Sequence, residues 1–229
     1  MVRNETSAMK SGINGKLNVN WDVYWRGFMS FPIVEFVRFR LIKRGCERLL
    51  KSFSSDDNPS FCELGAGAGA VSRYLGERYK AAITIVDSNP KALQISKKTF
   101  ENFPYQFSLI KKDVFDLNES VGKFDLVYSG GLIEHFVGAD RDLIVKVHCD
   151  LVKDNGYLLI LVPVFNMWYR ILNEGVFKYL HFLDEIPEVP WSLFELSNSL
   201  EKNGFGIIST TTVISELGVL AKKLSRPDR

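Results

Sequence analysis

A glycine-rich segment with an acid at its head is the part of the chain whose residue types and spacing most clearly suggest chemistry. The sequence ELGAGAG at residues 63–69 stands between a short apolar run and a helical pattern. Glycine has no Cβ, so such a loop can turn tightly and let a ligand lie against its backbone. Gly65, Gly67 and Ala70 also fit the Gly-x-Gly-x-x-Ala form of the dinucleotide fingerprint. The segment therefore predicts a nucleotide-like ligand at the carboxyl end of a strand.

Three acidic residues indicate which ligand the loop would hold. Asp87 lies 22 residues after Gly65, at the end of the next apolar run, where a carboxylate can accept both ribose hydroxyls. Dinucleotides share that ribose with other adenosine ligands, so Asp87 does not separate the two. Glu63 does, because its carboxylate would repel a pyrophosphate but not a cationic amine. Asp113 can accept from an adenine amino group, and Val114 can pack on the ring.

Alternating strands and helices would position these residues. Short apolar or β-branched runs predict strands at 61–65, 81–87, 107–113, 124–131, 157–164, 205–214 and 218–224. Helical patterns predict helices over 68–79, 90–103, 140–156 and 193–203, with one or two more within 21–53. Asn89-Pro90 and the capping box that begins at Ser192 mark helix starts, and Asn155-Gly156 marks a helix stop.

This alternation indicates an α/β fold, with a doubly wound and mostly parallel sheet of seven strands. Parallel strands need a long crossover, and the last two strands lie too close together for one. We therefore expect them to form a C-terminal antiparallel hairpin.

Five segments in this order resemble a class I S-adenosylmethionine-dependent methyltransferase: ELGAGAG, IVDSNP, KKDVFDL, FDLVYSGGLIEHF and LVKDNGYLLILVP. The resemblance covers about residues 58–165 and implies a Rossmann-like fold, S-adenosylmethionine as cofactor and methyl transfer as reaction. With it we expect a flexible leader at 1–20, an N-terminal helical cap at 21–57 and a methyltransferase domain at 58–229. A lid-like insert would occupy about 164–191.

The resemblance also implies roles for single residues. The three loop glycines would let the methionine portion and the ribose pass close to the backbone, and Glu63 would orient the loop and the methionyl amine. Asp87 would take the ribose hydroxyls, and adenine would lie beside Ser88. Asp113 and Val114 would hold the adenine, and Ser129 and Gly130 would offer backbone carbonyls to the methionyl ammonium. The three loop glycines are Gly65, Gly67 and Gly69.

His135 is the candidate catalytic base, since a hydroxyl acceptor must lose a proton. It follows Glu134 in the loop after the fourth strand, which opens over the cofactor in the family. The alternative is a helix-end histidine bonded to backbone. His148 falls in a helix and is interpreted as structural. No metal is assigned, because adjacent Glu134 and His135 on a helix would point in different directions.

The insert at 164–191 is rich in aromatic residues and would cover the acceptor site. With the aromatic residues near the N-terminus it could form an apolar lid over a small or lipid-like acceptor. Burial of the insert's own helix against the sheet is an equal alternative. The candidate acceptor contacts are Tyr24, Trp25 and Trp168.

Composition narrows the remaining classes of protein. The 229 residues carry 29 Lys and Arg against 27 Asp and Glu, so the net charge is 29 − 27 = +2, which disfavours an RNA acceptor. The strongest basic cluster does not resolve onto one clean face: Arg38, Arg40, Lys43, Arg44 and Arg48. Three scattered cysteines, no secretory signal and no apolar run of spanning length indicate a cytoplasmic protein.

Two alternative functions remain open beside methyl transfer. An NAD(P)-dependent oxidoreductase would tolerate loss of the Glu63 charge, and a non-enzymatic protein of the same fold would lack cofactor affinity. A nucleic-acid methyltransferase would bind RNA in a salt-dependent way. After the fourth strand the sequence reads SGGL at 129–132 and not an NPPY-like segment, which disfavours methylation of base amino groups.

Overall fold

The computed structural model describes residues 15, 17, 21, 32–54, 57–164, 166–169 and 187–225. Five helices of ten or more residues and seven strands alternate through this part of the chain. The helices are α1 (Pro32–Leu49), α2 (Ala70–Tyr79), α3 (Pro90–Thr99), α4 (Ala139–Asp150) and α5 (Leu193–Lys202). The strands are β1 (Ser60–Leu64), β2 (Ala82–Asp87), β3 (Phe107–Lys111), β4 (Phe124–Gly130), β5 (Val152–Pro163), β6 (Phe205–Val213) and β7 (Glu216–Lys223).

The strands form one sheet in the order β3-β2-β1-β4-β5-β7-β6. The first five pair in parallel, and β7 runs antiparallel to both β5 and β6. The predicted fold, with its C-terminal antiparallel hairpin, is therefore confirmed. The strand order reverses direction between β1 and β4, and ligands bind in the crevice at such a switch point in doubly wound sheets.

Helices cover both faces of the sheet. On one face α1, α2 and α3 pack residues such as Cys46, Leu75 and Leu93 into one apolar cluster with the strands. On the other face α4 and α5 contribute Ile144 and Leu200 to a second apolar cluster. The part of the expected N-terminal cap that is described, α1, thus packs as a layer of the domain itself.

Two helix ends differ from the sequence prediction. The helix predicted over 140–156 ends at Asp150, because Val152 already pairs with Phe124 of β4. Residues 153–156 bulge out of the strand before Tyr157 resumes the pairing, and Asn155 has a left-handed φ of +60° within this bulge. The Asn155-Gly156 signal therefore marks a bulge in β5.

The helix that begins after Asn89 also stops early. Asn89 caps it as predicted, with its side chain accepting from the backbone amides of Lys91 and Ala92. The helix ends at Thr99 and not at Phe103, since Asn102 takes a left-handed φ of +59°. The rings of Phe100 and Phe107 stack with centroids 3.8 Å apart, which ties this end to β3.

The basic residues of α1 are arranged more regularly than the sequence suggested. Arg40, Arg44 and Arg48 are all exposed and follow one another at four-residue spacing, so they share one face of the helix. Lys43 leaves that face, with its ammonium 4.4 Å from the ring centre of Tyr74. These three arginines therefore form one exposed stripe, which does not include Lys43.

Among the described helices, none is long and apolar enough to cross a membrane.

Candidate cofactor and acceptor site

The glycine loop leaves β1 at the edge of the crevice between β1 and β4. Gly65, Gly67 and Gly69 all have left-handed φ values, of +63°, +55° and +69°. Residues with a Cβ rarely adopt this conformation, which explains the glycine spacing. The loop is anchored by hydrogen bonds from Gly65 N to Val86 O (2.9 Å) and from Ser96 Oγ to Gly67 O (2.6 Å).

The loop after β4 lies directly against the glycine loop. A Cβ added to Gly65 would come within 2.7 Å of the Leu132 side chain. Pairing between β1 and β4 ends at Glu63 and Tyr128, so the two chains separate just before these loops. The glycine loop and the loop after β4 are therefore in contact at the switch point between β1 and β4, where ligands bind in doubly wound sheets.

Asp87 is at the carboxyl end of β2 and fixes the glycine loop. One of its carboxylate oxygens accepts from Gly67 N at 3.0 Å, and the other accepts from Asn89 N at 2.8 Å. A carboxylate offers about four lone-pair sites and can accept from several donors at once, ribose hydroxyls among them. Ser88, the next residue, is exposed. The geometry therefore fits the predicted ribose site.

Glu63 forms a buried polar group with two residues that the sequence analysis missed. Its side chain is only 5% exposed and accepts from the Ser72 hydroxyl, which also bonds to the Tyr128 hydroxyl. Burial, together with the nearby negative charge of Asp87, raises the pKa of the Glu63 carboxyl to about 8. Ser72 could have been found as a polar residue on the helical face that carries Val71 and Leu75.

Asp113 and Val114 follow β3, on the same edge of the sheet as Asp87. The Asp113 side chain caps the single helical turn Val114–Asp116 by accepting from Phe115 N at 3.2 Å. Val114 is 6% exposed and packs into the apolar core. A carboxylate can accept several hydrogen bonds, an adenine amino group among the possible donors.

Ser129 and Gly130 form the end of β4. The Ser129 hydroxyl lies 2.9 Å from His148 Nε2, and His148 Nδ1 lies 2.7 Å from the Ile144 carbonyl. A carbonyl only accepts, so Nδ1 carries the proton and Ser129 donates to Nε2. Burial lowers the pKa of His148 to about 4, which keeps it neutral. These contacts fit the structural role expected of His148.

His135 ends the helical turn Ile133–His135 after β4 and is 3% exposed. Its Nδ1 lies 3.0 Å from the Pro187 carbonyl. Because a carbonyl only accepts hydrogen bonds, Nδ1 carries a proton and donates it to this contact. The Trp21 ring meets the imidazole edge-on, with centroids 5.1 Å apart. Leu17 N also donates to the His135 carbonyl at 2.9 Å. Leu17 therefore belongs to the domain, although the sequence placed it in a flexible leader.

The side chains of Glu134 and His135 converge with Glu188. One ligand-type atom from each of the three residues lies within 4.8 Å of the others. Glu134 is wholly buried and Glu188 is half-buried. The premise that adjacent Glu134 and His135 would point apart is wrong, because a single turn followed by an extended residue replaces the regular helix assumed there.

Arg141 on α4 holds the segment at 187–191 beside this loop. Its guanidinium pairs with Glu195 at 2.7 Å, and it donates to the carbonyls of Val189 (3.1 Å) and Phe136 (3.3 Å). It also lies 4.0 Å from the ring centre of Trp191. The loop after β4 and the start of α5 are thereby joined through one side chain.

Of the three expected acceptor contacts, the structure describes Trp168. Tyr24, Trp25 and most of the insert lie outside the described residues. Trp168 follows β5 in the short turn Met167–Tyr169 and is 52% exposed. Trp191, the last aromatic residue of the insert, is 1% exposed and donates to the Ile133 carbonyl at 3.1 Å, so it belongs to the core.

Sequence comparisons agree with this architecture. Residues 61–156 match the family model described as a methyltransferase domain. A ribosomal RNA small subunit methyltransferase C of Pasteurella multocida is 30% identical over 135 residues, which are 57% of this chain and 40% of that protein. An uncharacterized protein of Rickettsia prowazekii is 27% identical over 171 residues, 71% of this chain and 66% of that protein. The chain thus spans well under half of the ribosomal RNA methyltransferase.

Solved structures share the fold at low identity. A magnesium protoporphyrin IX methyltransferase from Synechocystis, crystallised with bound SAH, superposes with a TM-score of 0.64 at 16% identity and covers 88% of this chain and 99% of that one. An O-methyltransferase family 2 protein from Planctomyces limnophilus in complex with apigenin gives 0.67 at 14% identity, covering 90% and 62%. The fold of this chain is that of the class I methyltransferases.

Residues 61–156 therefore match a methyltransferase domain, and the fold that contains them is that of the class I S-adenosylmethionine-dependent methyltransferases. S-adenosylmethionine is the cofactor of this family, as predicted. The fold and family favour methyl transfer over the oxidoreductase alternative.

Proposed function

We propose that the protein transfers a methyl group from S-adenosylmethionine to a small, partly apolar acceptor. The observation that carries the proposal is the bonding of Asp87 to Gly67 N, which joins the acid at the end of β2 to the glycine loop. That bond holds a carboxylate and three left-handed glycines around one crevice. An adenosine ligand with a cationic amine matches this combination of groups.

Each wall of the crevice has its own part in cofactor binding under this proposal. Asp87 accepts the ribose hydroxyls, with Ser88 next to the adenine. Asp113 accepts from the adenine amino group, and Val114 contacts the ring. At the other end Glu63, Ser129 and Gly130 surround the methionyl amine, and the backbone of Gly65, Gly67 and Gly69 passes close to the ligand.

The reaction is a displacement at the sulfonium methyl group. The acceptor atom forms a bond to the methyl carbon, the carbon–sulfur bond breaks, and its electron pair stays on sulfur as S-adenosylhomocysteine. The protein contributes mainly orientation and exclusion of water. For a hydroxyl acceptor, the group that accepts the leaving proton in this proposal is His135. It lies three residues after Leu132, whose side chain packs against the glycine loop.

A methyl-transfer assay with labelled S-adenosylmethionine and a panel of apolar hydroxylated, amine and carbon acceptors tests this function. His135→Gln should lower kcat on a hydroxyl acceptor by about 10²-fold or more while cofactor affinity stays unchanged. Trp168→Ala should raise KM for the same acceptor and leave kcat nearly unchanged. Turnover of no acceptor by a protein that binds the cofactor would contradict the catalytic proposal.

An RNA acceptor is a second candidate, favoured by the exposed stripe of Arg40, Arg44 and Arg48 on α1. The Pasteurella relative at 30% identity is also a ribosomal RNA methyltransferase by name. Binding of a labelled ribosomal RNA fragment, measured at 50 and 200 mM salt, tests it. An RNA site predicts affinity that falls steeply with salt and drops further when the three arginines are changed to alanine. If the parent protein and the triple-alanine variant bind the RNA equally weakly, a small molecule remains the proposed acceptor.

A further inference from the structure

We propose that Glu134, His135 and Glu188 bind a divalent cation at the acceptor side of the crevice. The two carboxylates and the imidazole come from the loop after β4 and from the segment that leads into α5. Together they supply one nitrogen and two oxygen ligands, leaving further coordination positions for water or an acceptor atom.

The distances suit a small ion after a slight closure. Imidazole nitrogen and carboxylate oxygen both bind zinc at about 2.0–2.2 Å, so two ligands of one ion lie at most about 4.4 Å apart. The three candidate atoms lie within 4.8 Å of one another. A shift of a few tenths of an ångström, within the reach of glutamate side chains, brings them onto one ion.

The imidazole is held as a metal ligand needs to be held. Metal-binding histidines commonly donate their other ring N–H to a carboxylate or a backbone carbonyl, which fixes the tautomer and the ring orientation. His135 Nδ1 bonds to the Pro187 carbonyl at 3.0 Å. In the neutral ring, Nε2 then carries the lone pair. Pro187 immediately precedes Glu188, so the bond that orients the imidazole also positions the second carboxylate.

The neighbouring backbone fixes Glu134 and Glu188 relative to each other. Val189 N donates to the Glu134 carbonyl at 2.9 Å, and Arg141 donates to the Val189 carbonyl at 3.1 Å. Glu188 thus lies between two anchored residues and is preorganised. Such anchoring lowers the ordering cost of collecting ligands from two distant segments.

Charge and burial favour a cation over a neutral ligand. Two carboxyl groups beside one imidazole make this an acidic cluster, and Glu134 is wholly buried. The low dielectric around Glu134 strengthens its attraction to a divalent ion. Half-buried Glu188 gives the cluster a side near the surface. A ligand set of imidazole and carboxylates suits Zn²⁺ or Mn²⁺ better than it suits Mg²⁺ or Ca²⁺, which prefer oxygen ligands alone.

The role of the cation rests on the proposed methyl transfer. A hydroxyl acceptor bound to the ion would lose its proton to solvent more readily, because a divalent cation stabilises the negative oxygen. That oxygen then attacks the sulfonium methyl group, and the carbon–sulfur electron pair stays on sulfur. While the ion is bound, His135 would be one of its ligands and would not accept the proton. The ion would then activate the hydroxyl in place of His135.

Metal titration of the full chain tests the site directly. After treatment with a chelator and its removal, Mn²⁺ is added and bound ion is counted by EPR, with Zn²⁺ titrated in parallel by calorimetry. We expect one Mn²⁺ per chain and a nitrogen coupling in pulsed EPR. Glu188→Gln should weaken Mn²⁺ binding at least tenfold, since outer ligand partners alone contribute about 10- to 100-fold. His135→Ala should remove the nitrogen coupling.

Glu195→Gln is the matched control, because it loosens the Arg141 contact to the same segment without removing a ligand. Its Mn²⁺ affinity should stay within about twofold of the parent protein. Absence of Mn²⁺ and Zn²⁺ binding, or equal affinity in Glu188→Gln and the parent, would overturn the proposal. Binding of S-adenosylmethionine in the presence of chelator is measured separately, so failure of the metal site is distinguished from failure of the proposed function.

Discussion

Glu63 lies at the end of β1 with 5% of its side chain exposed, and burial raises the pKa of its carboxyl to about 8. At neutral pH the unliganded protein therefore holds this group mostly protonated. A cationic amine placed beside it would favour the ionised form, because opposite charges attract strongly in a low dielectric. Cofactor binding and loss of the Glu63 proton are thus coupled.

We predict that affinity for S-adenosylmethionine falls as pH is lowered from 8 to 6. Below about 8 both Glu63 and the free α-amine carry protons, whereas the complex keeps one proton between them, so binding releases a proton. Titration calorimetry in buffers of different ionisation enthalpy measures that release. Glu63→Gln should bind more weakly and lose this acidic limb, and an unchanged pH profile in that variant would contradict the assignment.

The sequence predicted the residues of the site whose role follows from the strand ends. Asp87 and the three glycines could be placed because each lies where a strand meets a loop. Tyr128 and Glu188 could not, since their partners are distant in the chain. The helical pattern places Ser72 on the buried face of α2 but does not identify its partners. Tyr128 meets Ser72 across 56 residues, and no local pattern encodes that contact.

At the scale of elements, the start of α2 is in close contact with β2 and with the end of α3. Gly69, the residue before α2, has a φ of +69°, and a Cβ there would lie 2.7 Å from Ile85 Cδ1 and 3.1 Å from the Phe100 ring. Both backbone strain and side-chain overlap therefore exclude other residues. The predicted start of the helix at 68 is two residues early for this reason.

Gly69→Ala should lower the free energy of unfolding by about 2–4 kcal/mol, the sum of a left-handed residue with a Cβ and an overpacked contact. Gly204→Ala is the matched control, since Gly204 also has a positive φ, of +80°, but nothing within 4 Å of an added Cβ. It should cost only about 1–2 kcal/mol. Urea unfolding measures both, and equal losses would show that the Gly69 contact contributes nothing.

His148 links α4 to β4 and makes this contact sensitive to acid. Its pKa is lowered from 6.5 to about 4, so between these values the unfolded chain binds more protons than the folded one. The stability that the neutral ring contributes is therefore present above about pH 6.5 and lost as pH falls towards 4.

We predict that His148→Gln reduces the acid loss of stability by up to about 1 kcal/mol per pH unit between 6.5 and 4.5. Glu63 acts with the opposite sign in this range, because its raised pKa favours the folded state at low pH. The difference between variant and parent is therefore the quantity to follow in urea unfolding at several pH values. Parallel curves for the two proteins would contradict this role of His148.

Strands were easier to predict than helix ends. β-branched and apolar runs placed all seven strands. The runs are most apolar in the central parallel strands β1, β4 and β5, because both faces of the sheet are covered there. The ends of α3 and α4 were misplaced, since left-handed residues at Asn102 and Asn155 serve a turn and a bulge that depend on neighbouring strands.

At the scale of the whole molecule, segments far apart in sequence close around the loop after β4. Val137 N donates to the Gly15 carbonyl at 2.7 Å on one side, and Val189 N reaches the Glu134 carbonyl on the other. Arg141 joins this loop to α5 through Glu195. The sequence suggested a lid over the acceptor site, but not that the loop beneath it would be held by residues on both sides.

Arg141→Lys should lower the free energy of unfolding by about 2 kcal/mol, because lysine cannot reproduce the planar fork that reaches Glu195 and two carbonyls together. Arg40→Lys on the exposed face of α1 should change it by less than about 0.5 kcal/mol. Thermal and urea unfolding measure both variants. An unchanged free energy of unfolding in Arg141→Lys would mean that the segment at 187–191 is held by its other contacts.

The central claim is that the crevice between β1 and β4 binds S-adenosylmethionine through Asp87. Titration calorimetry with S-adenosylmethionine, S-adenosylhomocysteine and NAD on the parent protein, Asp87→Ala and the exposed control Asp116→Asn tests it most directly. The account predicts micromolar binding of the first two ligands, none of NAD, complete loss in Asp87→Ala and no change in the control. Binding of NAD alone, or undiminished S-adenosylmethionine binding by Asp87→Ala, would contradict it.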